Sequence, residues 1–172
     1  INHRNAIYYV EDIIRKEEPF SEWQIRNIHQ LILKNIDDDN AGRYRQQNVL
    51  ISGATSTPPD YTLLNDKMAQ LVDWYNSEAH KLHPIERAAK VHADFVGIHP
   101  FIDGNGRTSR LLMNLELLKA GYPPCVITVE SRLAYYEALD QWMSYGKTDA
   151  FIHLVSDAVL EGFKPYQVVL GL

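Results

Sequence analysis

The amino-acid sequence predicts an all-α domain of about seven helices with one small β-hairpin. Three observations support this fold class. Apolar residues recur at helical spacing in most segments, helix start and stop signals separate those segments, and only one short stretch has strand-like composition. With 172 residues and 45% apolar composition, the chain is long enough to form one domain with its own core over residues 1–172.

The first two helices are indicated by apolar stripes and by a capping signal. The first carries its apolar residues on one face and ends before Pro19. The second begins at Ser21, whose spacing to Gln24 has the form of a capping box. Its predicted core face consists of Ile25, Ile28, Leu31, Ile32 and Ile36.

Five further helices follow from the same periodicity and from local signals. Pro84 opens one of them, because proline is favoured at the first helical position. Gly121 ends another, since glycine readily adopts the left-handed conformation that follows a helix. The predicted positions of the five are residues 63–75, 84–98, about 107–120, 131–142 and 151–160.

The strand-like stretch lies between the second and third helices. Asn48 to Ile51 is a short β-type run, and a turn at Ser52 to Ala54 and the proline-containing segment Thr55 to Pro59 follow it. This pattern predicts a small hairpin. An ordinary surface hairpin and a functional flap are both compatible with it.

Charge and composition narrow the classes of function. The formal net charge is -5, and Lys and Arg are not clustered, so we expect no nucleic-acid partner. No apolar run of membrane-spanning length and no secretory leader is present, so we expect no membrane association. The single cysteine, Cys125, suits a reducing compartment, and we expect a cytoplasmic protein. Because the chain starts at Ile1 without Met, we expect a fragment of a longer protein.

The segment between the fourth and fifth predicted helices has the composition of an anion site. It contains a base, a carboxylate, two glycines around an amide and two cations within twelve residues. Two glycines allow close backbone approach, and successive N–H groups at a helix start can hold the oxygens of an anion. The residues concerned are His99, Asp103, Gly104, Asn105, Gly106, Arg107 and Arg110.

Each of these side chains also has an ordinary structural explanation. His99 is compatible with a helix-end or core histidine, and Asp103 with a simple turn. Arg107 and Arg110 are compatible with a solvated helix face. The combination of all of them in one loop nevertheless favours a phosphate-binding site.

The segment His99 to Arg110 fits the pattern His-Pro-Phe-x-Asp/Glu-Gly-Asn-Gly-Arg-x-x-Arg at every specified position. The chain therefore resembles the Fic family of nucleotidyltransferases, and the resemblance extends from about Asn5 to about Tyr166. It implies an enzyme that transfers AMP from ATP to a Ser, Thr or Tyr hydroxyl of a target protein. It also implies Mg²⁺ as the cofactor.

The resemblance and the chemistry of the side chains imply a role for each residue. His99 is the expected general base, Asp103 the Mg²⁺ ligand, and Tyr136 a contact of the nucleotide base. Phosphate oxygens are expected at Gly104, Asn105, Gly106, Arg107 and Arg110. The hairpin is expected to be a flap that aligns the target's backbone by strand addition. Its residues are Val49, Leu50, Ile51, Ser52, Gly53, Ala54, Thr55, Ser56 and Thr57.

Several alternatives stay open at this point. Met143 stands where a polar base-contacting residue is expected, which leaves the donor nucleotide open. Relatives of this kind also transfer UMP, phosphate or phosphocholine, and a catalytically silent nucleotide-binding module is the alternative of another class.

Regulation and assembly are also open. The resemblance implies a possible inhibitory helix in cis or in trans. Asn2 to Ile7 is similar to the stretch that follows such a helix, and Glu161 and Gly162 form the C-terminal candidate for an inhibitory motif. A dimer is allowed, and the sequence does not fix the oligomeric state.

Overall fold

Seven α-helices form the described part of this computed structural model, which covers residues 2–16 and 18–170. Side chains of residues 2–4 and 170 are not described. The stretch Asn2 to Ile7, which is similar to the segment that follows an inhibitory helix, therefore lies partly outside the described residues. The all-α prediction is confirmed. The helices are α1 Asn2–Lys16, α2 Glu22–Leu33, α3 Leu64–Ser77, α4 Pro84–Ile98, α5 Asn105–Lys119, α6 Arg132–Tyr145 and α7 Asp149–Leu170.

The pair α4 and α5 lies at the centre of the fold and is buried on two sides. On one side, Phe95 of α4 and Leu112 of α5 belong to a core that α1, α2 and α3 complete. On the other side, Val96 of α4 and Met113 of α5 belong to a second core with α6 and α7. A helix that is apolar over most of its circumference is expected to be buried in this way. The loop that joins α4 to α5 therefore has a rigid base.

Local signals explain most of the helix boundaries. The Ser21 side chain accepts a hydrogen bond of 3.4 Å from the Gln24 N–H and caps α2, as predicted. Because α2 ends at Leu33, Ile36 lies beyond it and is 60% exposed, so its predicted place in the core face is wrong. The last helix is longer than predicted and continues through Pro165. No helix in the described ranges is long and apolar enough to cross a membrane.

A buried ion pair ties the central helices to α3. Glu116 of α5 is fully buried and accepts hydrogen bonds from Arg87 Nε at 2.9 Å and from the Tyr75 hydroxyl at 2.7 Å. The Lys119 ammonium lies 3.7 Å from the same carboxylate. A buried carboxylate needs such partners, because water no longer solvates it.

Replacing Arg87 with leucine is expected to lower the free energy of unfolding by about 3 kcal/mol, since it leaves the Glu116 charge without its closest cation. Urea unfolding measures this change. The double variant Arg87→Leu/Glu116→Leu removes the buried charge as well and should recover most of the loss. Equal instability of the single and double variants would contradict this account of the pair.

Candidate active site

The loop between α4 and α5 begins at a strained residue. His99 ends α4 with φ 51° and ψ 56°, in the left-handed region, and its N–H donates to the Phe95 carbonyl at 3.0 Å. Pro100 follows, and it cannot continue the helix. A non-glycine residue in this conformation is uncommon and is often found where geometry serves function.

The contacts of the His99 ring determine its tautomer. Nδ1 lies 3.3 Å from the Val96 carbonyl oxygen, which can only accept, so Nδ1 carries the hydrogen and Nε2 keeps its lone pair. Burial lowers the pKa of His99, the Val96 carbonyl opposes this, and the Arg45 charge lowers it further. At neutral pH the ring is therefore a neutral base with Nε2 available.

The first turn of α5 begins at the glycine loop where the sequence predicts an anion site. Gly104 is the N-cap residue with φ 78°, and no side chain caps this helix start. The N–H groups of the first turn have no partner within the helix, and the helix dipole places partial positive charge there. A Cβ at Gly104 would lie 3.1 Å from Nε2 of His29, so both the φ angle and the available space require glycine.

Asp103 and Arg107, which the sequence predicts to bind the metal and a phosphate, contact each other in the structure. Arg107 Nη2 lies 2.9 Å from Asp103 Oδ2, and the other carboxylate oxygen accepts from the Gly104 N–H at 2.6 Å. The Asp103 side chain is 66% exposed. The Asp103 carboxylate thus accepts hydrogen bonds from a backbone N–H group and from a guanidinium. An anionic ligand would occupy the same position.

The side chain of Asn105 has a structural part in the loop. Its Oδ1 accepts from the Phe101 N–H at 3.0 Å, and its Nδ2 donates to the Phe101 carbonyl at 2.8 Å. The residue is buried. Asn105 therefore closes the loop through its side chain, and only its backbone N–H is available to a ligand.

Arg110 and Tyr136 line one cleft, of about 360 Å³, between α5 and the start of α6. Burial raises the pKa of the Tyr135 hydroxyl, and the nearby positive charge of Arg110 opposes this. Arg132 Nη2 lies 3.4 Å from the Tyr136 hydroxyl, and Tyr136 is 52% exposed. The structure thus brings together two predicted residues, Arg110 and Tyr136, that belong to different helices.

Glu161, the C-terminal candidate for an inhibitory motif, lies elsewhere. It belongs to α7, pairs with Lys164 at 2.6 Å and borders a groove between α6 and α7. Gly162 beside it faces Pro123. Neither residue lines the cleft of Arg110.

The predicted β-hairpin is wrong as regular structure, because no strand forms at Val49 to Thr57 in the described chain. A turn is present, with Ala54 N–H donating to the Ile51 carbonyl at 3.2 Å. Residues 55–59, which would form the second strand of the hairpin, however, have almost no free backbone N–H donors. The N–H groups of Thr55 and Ser56 both bind Asp140 Oδ1, and Pro58 and Pro59 have none. A ladder between the two arms therefore cannot form.

Side chains replace the ladder and attach this flap to the site. Arg45, which is 3% exposed, donates to the Gln47 carbonyl at 2.8 Å and to the Pro59 carbonyl at 2.6 Å, at the two ends of the flap. Its Nε donates to the His99 carbonyl at 2.9 Å. One buried guanidinium therefore links both flap ends to the backbone of the candidate base.

Three residues of the site were missed by the sequence prediction: His29, Arg45 and Asp140. Each acts through a backbone group that is far away in the sequence. The separations are 74 residues for His29 to Asp103, 54 for Arg45 to His99 and 85 for Asp140 to Thr55. In the sequence, each of the three is recognisable only as a polar residue next to apolar ones. That pattern does not identify a partner far away in the chain.

Because three buried histidines are neutral in the folded state, we expect acid to destabilise the folded protein. Burial lowers the pKa of His29 to about 4, of His92 to about 3, and also lowers that of His99. In the unfolded chain they titrate near 6.5, so below that pH the unfolded state binds more protons. The free energy of unfolding should fall by a few kcal/mol between about pH 7 and pH 5. Urea unfolding at these two pH values tests this, and equal stability would contradict it.

Fold and site together define a class of protein: an all-helical domain with a histidine and a glycine-containing loop between its two central helices. The chain belongs to the Fic/DOC family, whose family model matches residues 19–117.

Curated relatives with similar sequences carry the name protein adenylyltransferase. The chain is 43% identical over 116 residues to protein adenylyltransferase fic-1 of Caenorhabditis briggsae, which covers 67% of this chain and 22% of that protein. It is 42% identical over 153 residues to protein adenylyltransferase Fic of Nematostella vectensis, and this match covers 88% of this chain and 35% of that protein. The chain thus spans about a third or less of the length of these relatives.

Solved structures show the same fold. Fic-1 (aa134 - 508) from C. elegans superposes with a TM-score of 0.88 at 33% identity, over 99% of this chain and 51% of that chain. A Fic domain containing signaling protein from Bacteroides thetaiotaomicron superposes with a TM-score of 0.84 at 30% identity, over 94% and 67% of the two chains.

Proposed function

We propose that this domain transfers AMP from ATP to a Ser, Thr or Tyr hydroxyl of a target protein, with release of pyrophosphate. The observation that supports this most is the position of the Asp103 carboxylate, which bonds the Gly104 N–H and the Arg107 guanidinium next to His99. A phosphate oxygen would make the same two bonds. The names of the curated relatives agree with this chemistry.

His99 accepts the proton of the attacking hydroxyl. Its Nε2 has the free lone pair, because Nδ1 is held by the Val96 carbonyl. The target oxygen forms a bond to the α-phosphorus, the bond from that phosphorus to the bridging oxygen breaks, and the proton goes to Nε2. Such transfers depend mainly on positioning and charge neutralisation, and the base contributes the proton transfer.

The start of α5 and its arginines hold the phosphates. N–H groups at Gly104, Asn105 and Gly106 face the α-phosphate region, and Arg107 exchanges its Asp103 partner for a β-phosphate oxygen. Arg110, which lines the neighbouring cleft, would bind the γ-phosphate. An arginine that is already held near its ligand position loses little side-chain entropy on binding.

The residues present fit a magnesium ion. Asp103 offers an exposed carboxylate at the anion site, while the described residues contain no group of three metal-ligating side chains. Mg²⁺ is commonly held by one or two carboxylates together with substrate phosphates and water. When bound, the ion neutralises charge on the phosphates. Asp103 would hold the ion through its exposed carboxylate.

Tyr136 and Arg132 form the proposed contact for the nucleotide base. The half-exposed aromatic ring offers a stacking surface, and the Arg132 guanidinium lies 5.6 Å above it. Met143 lies with its thioether close to Gly97 and does not line the cleft of Arg110 and Tyr136.

Intact mass spectrometry after incubation with ATP, GTP or UTP tests the proposal. With ATP and Mg²⁺, the expected product is this chain or an added target protein that has gained the mass of AMP. A gain equal to one phosphate would identify a kinase instead. Unchanged mass together with bound nucleotide would indicate a silent nucleotide-binding module.

A further inference from the structure

A second histidine lies directly beneath the anion loop. His29 of α2 is fully buried, and its ring stacks on Phe101 with centroids 3.5 Å apart and planes at 3°. Nδ1 accepts from the Gly42 N–H at 2.9 Å, and Nε2 lies 2.9 Å from the Asp103 carbonyl oxygen. Both ring nitrogens are thus bound to backbone groups of two different loops.

These contacts fix the tautomer of His29. Since Nδ1 accepts a hydrogen bond, it carries no hydrogen, and the hydrogen on Nε2 is donated to the Asp103 carbonyl. A protonated imidazole could not accept this bond from Gly42, so the geometry itself requires a neutral ring. The ring therefore gives one directed donor to the loop and no charge.

The direction of that donor matters because of the peptide geometry. In a trans peptide the C=O and the following N–H point in opposite directions. Holding the Asp103 carbonyl towards His29 therefore turns the Gly104 N–H towards the opposite side, where the Asp103 carboxylate now accepts it at 2.6 Å. That side is the anion-binding face of the loop.

We propose that His29 is a positioning residue, which orients the Gly104 N–H towards the nucleotide phosphates through its bond to the Asp103 carbonyl. This inference rests on the proposed function and deepens it. The competing explanation is a histidine that only fills the core between α2 and the loops. The two explanations differ in which of the two ring bonds matters for anion binding.

Two substitutions separate the two ring bonds. In asparagine the amide oxygen lies as many bonds from Cα as Nδ1, so His29→Asn can still accept from Gly42 but cannot donate to Asp103. In glutamine the amide nitrogen lies as many bonds from Cα as Nε2, so His29→Gln can still donate to Asp103. Both variants lose the stacking on Phe101 equally, so each is the control for the other.

Titration of ¹⁵N-labelled protein with inorganic pyrophosphate and Mg²⁺, followed at the Gly104 amide signal, provides the test. The wild-type signal should shift on binding. His29→Asn should weaken pyrophosphate binding about tenfold, the size expected for one hydrogen bond. His29→Gln should stay within about threefold of the wild type, and both variants should show comparable melting temperatures.

Equal weakening in both variants, or no weakening in either, would overturn the positioning role. AMP transfer by the wild type is measured separately and reports on the proposed function. If the wild type binds pyrophosphate at Gly104 but transfers no AMP, the proposed function fails while a selective effect of His29→Asn still supports the positioning role. If AMP is transferred and the two variants behave alike, the positioning role fails alone.

Discussion

Replacing His99 with alanine is expected to lower the rate of AMP transfer by about 10² or more, while nucleotide binding stays nearly unchanged. The reason lies in the ring's contacts, since Nδ1 is bound to the Val96 carbonyl and Nε2 keeps its lone pair for the proton of the attacking hydroxyl. The phosphates, by contrast, are held by the start of α5. Transfer of label from ATP and calorimetric ATP binding measure the two quantities.

The backbone at position 99 requires a second variant. Alanine at φ 51° is strained, so a loss of transfer could also come from movement of the loop. Asparagine tolerates this conformation and has no basic nitrogen. His99→Asn should therefore lose transfer as fully as His99→Ala and keep the wild-type melting temperature more closely. Normal transfer in either variant would exclude His99 as the base.

Replacing Arg45 with methionine is expected to lower transfer by about 10², the effect of a displacement of roughly 1 Å in a catalytic group. The buried guanidinium binds the His99 carbonyl and both ends of the flap, at Gln47 and Pro59. Without it, three carbonyl oxygens lose their donor, and the free energy of unfolding should fall by about 3 kcal/mol.

Two controls accompany the Arg45 variant. Arg43→Met makes the same change in charge at an exposed position two residues away, and it should leave both stability and transfer unchanged. Arg45→Lys keeps the charge but not the three-way geometry, and it should give an intermediate rate. Because the start of α5 is untouched, ATP affinity should stay close to that of the wild type in all three. A large loss of ATP affinity in Arg45→Met would contradict the assigned role.

Helices and the anion loop could be predicted from the sequence because their signals are local. The Ser21 cap, Pro84 at a helix start and Gly104 at the start of α5 each act within a few residues. Their physical meaning does not depend on the rest of the fold. This is why the helix order and the position of the anion loop agree with the structure.

The flap was predicted incorrectly because its conformation depends on distant groups. Val49 to Ile51 has strand-like composition, but strand pairing also needs free donors on the opposite arm. Asp140 of α6 takes two of those donors, and Arg45 binds both ends of the segment. Neither contact has a signature within a short window of sequence.

The roles of His29 and Asn105 could not be assigned from the sequence for a similar reason. Polarity alone does not show whether an amide or an imidazole faces a ligand or the protein's own backbone. Asn105 binds Phe101 on both sides of its amide, and His29 binds Gly42 and Asp103. Both therefore shape the loop whose outer face is the proposed phosphate site.

The most direct test of the central claim uses ATP labelled at either the α- or the γ-phosphorus. We expect the wild type to incorporate only the α-label into protein, with the γ-label leaving in pyrophosphate, and His99→Ala to incorporate neither. Incorporation of the γ-label, or incorporation of the α-label by His99→Ala at the wild-type rate, would contradict nucleotidyl transfer at this site.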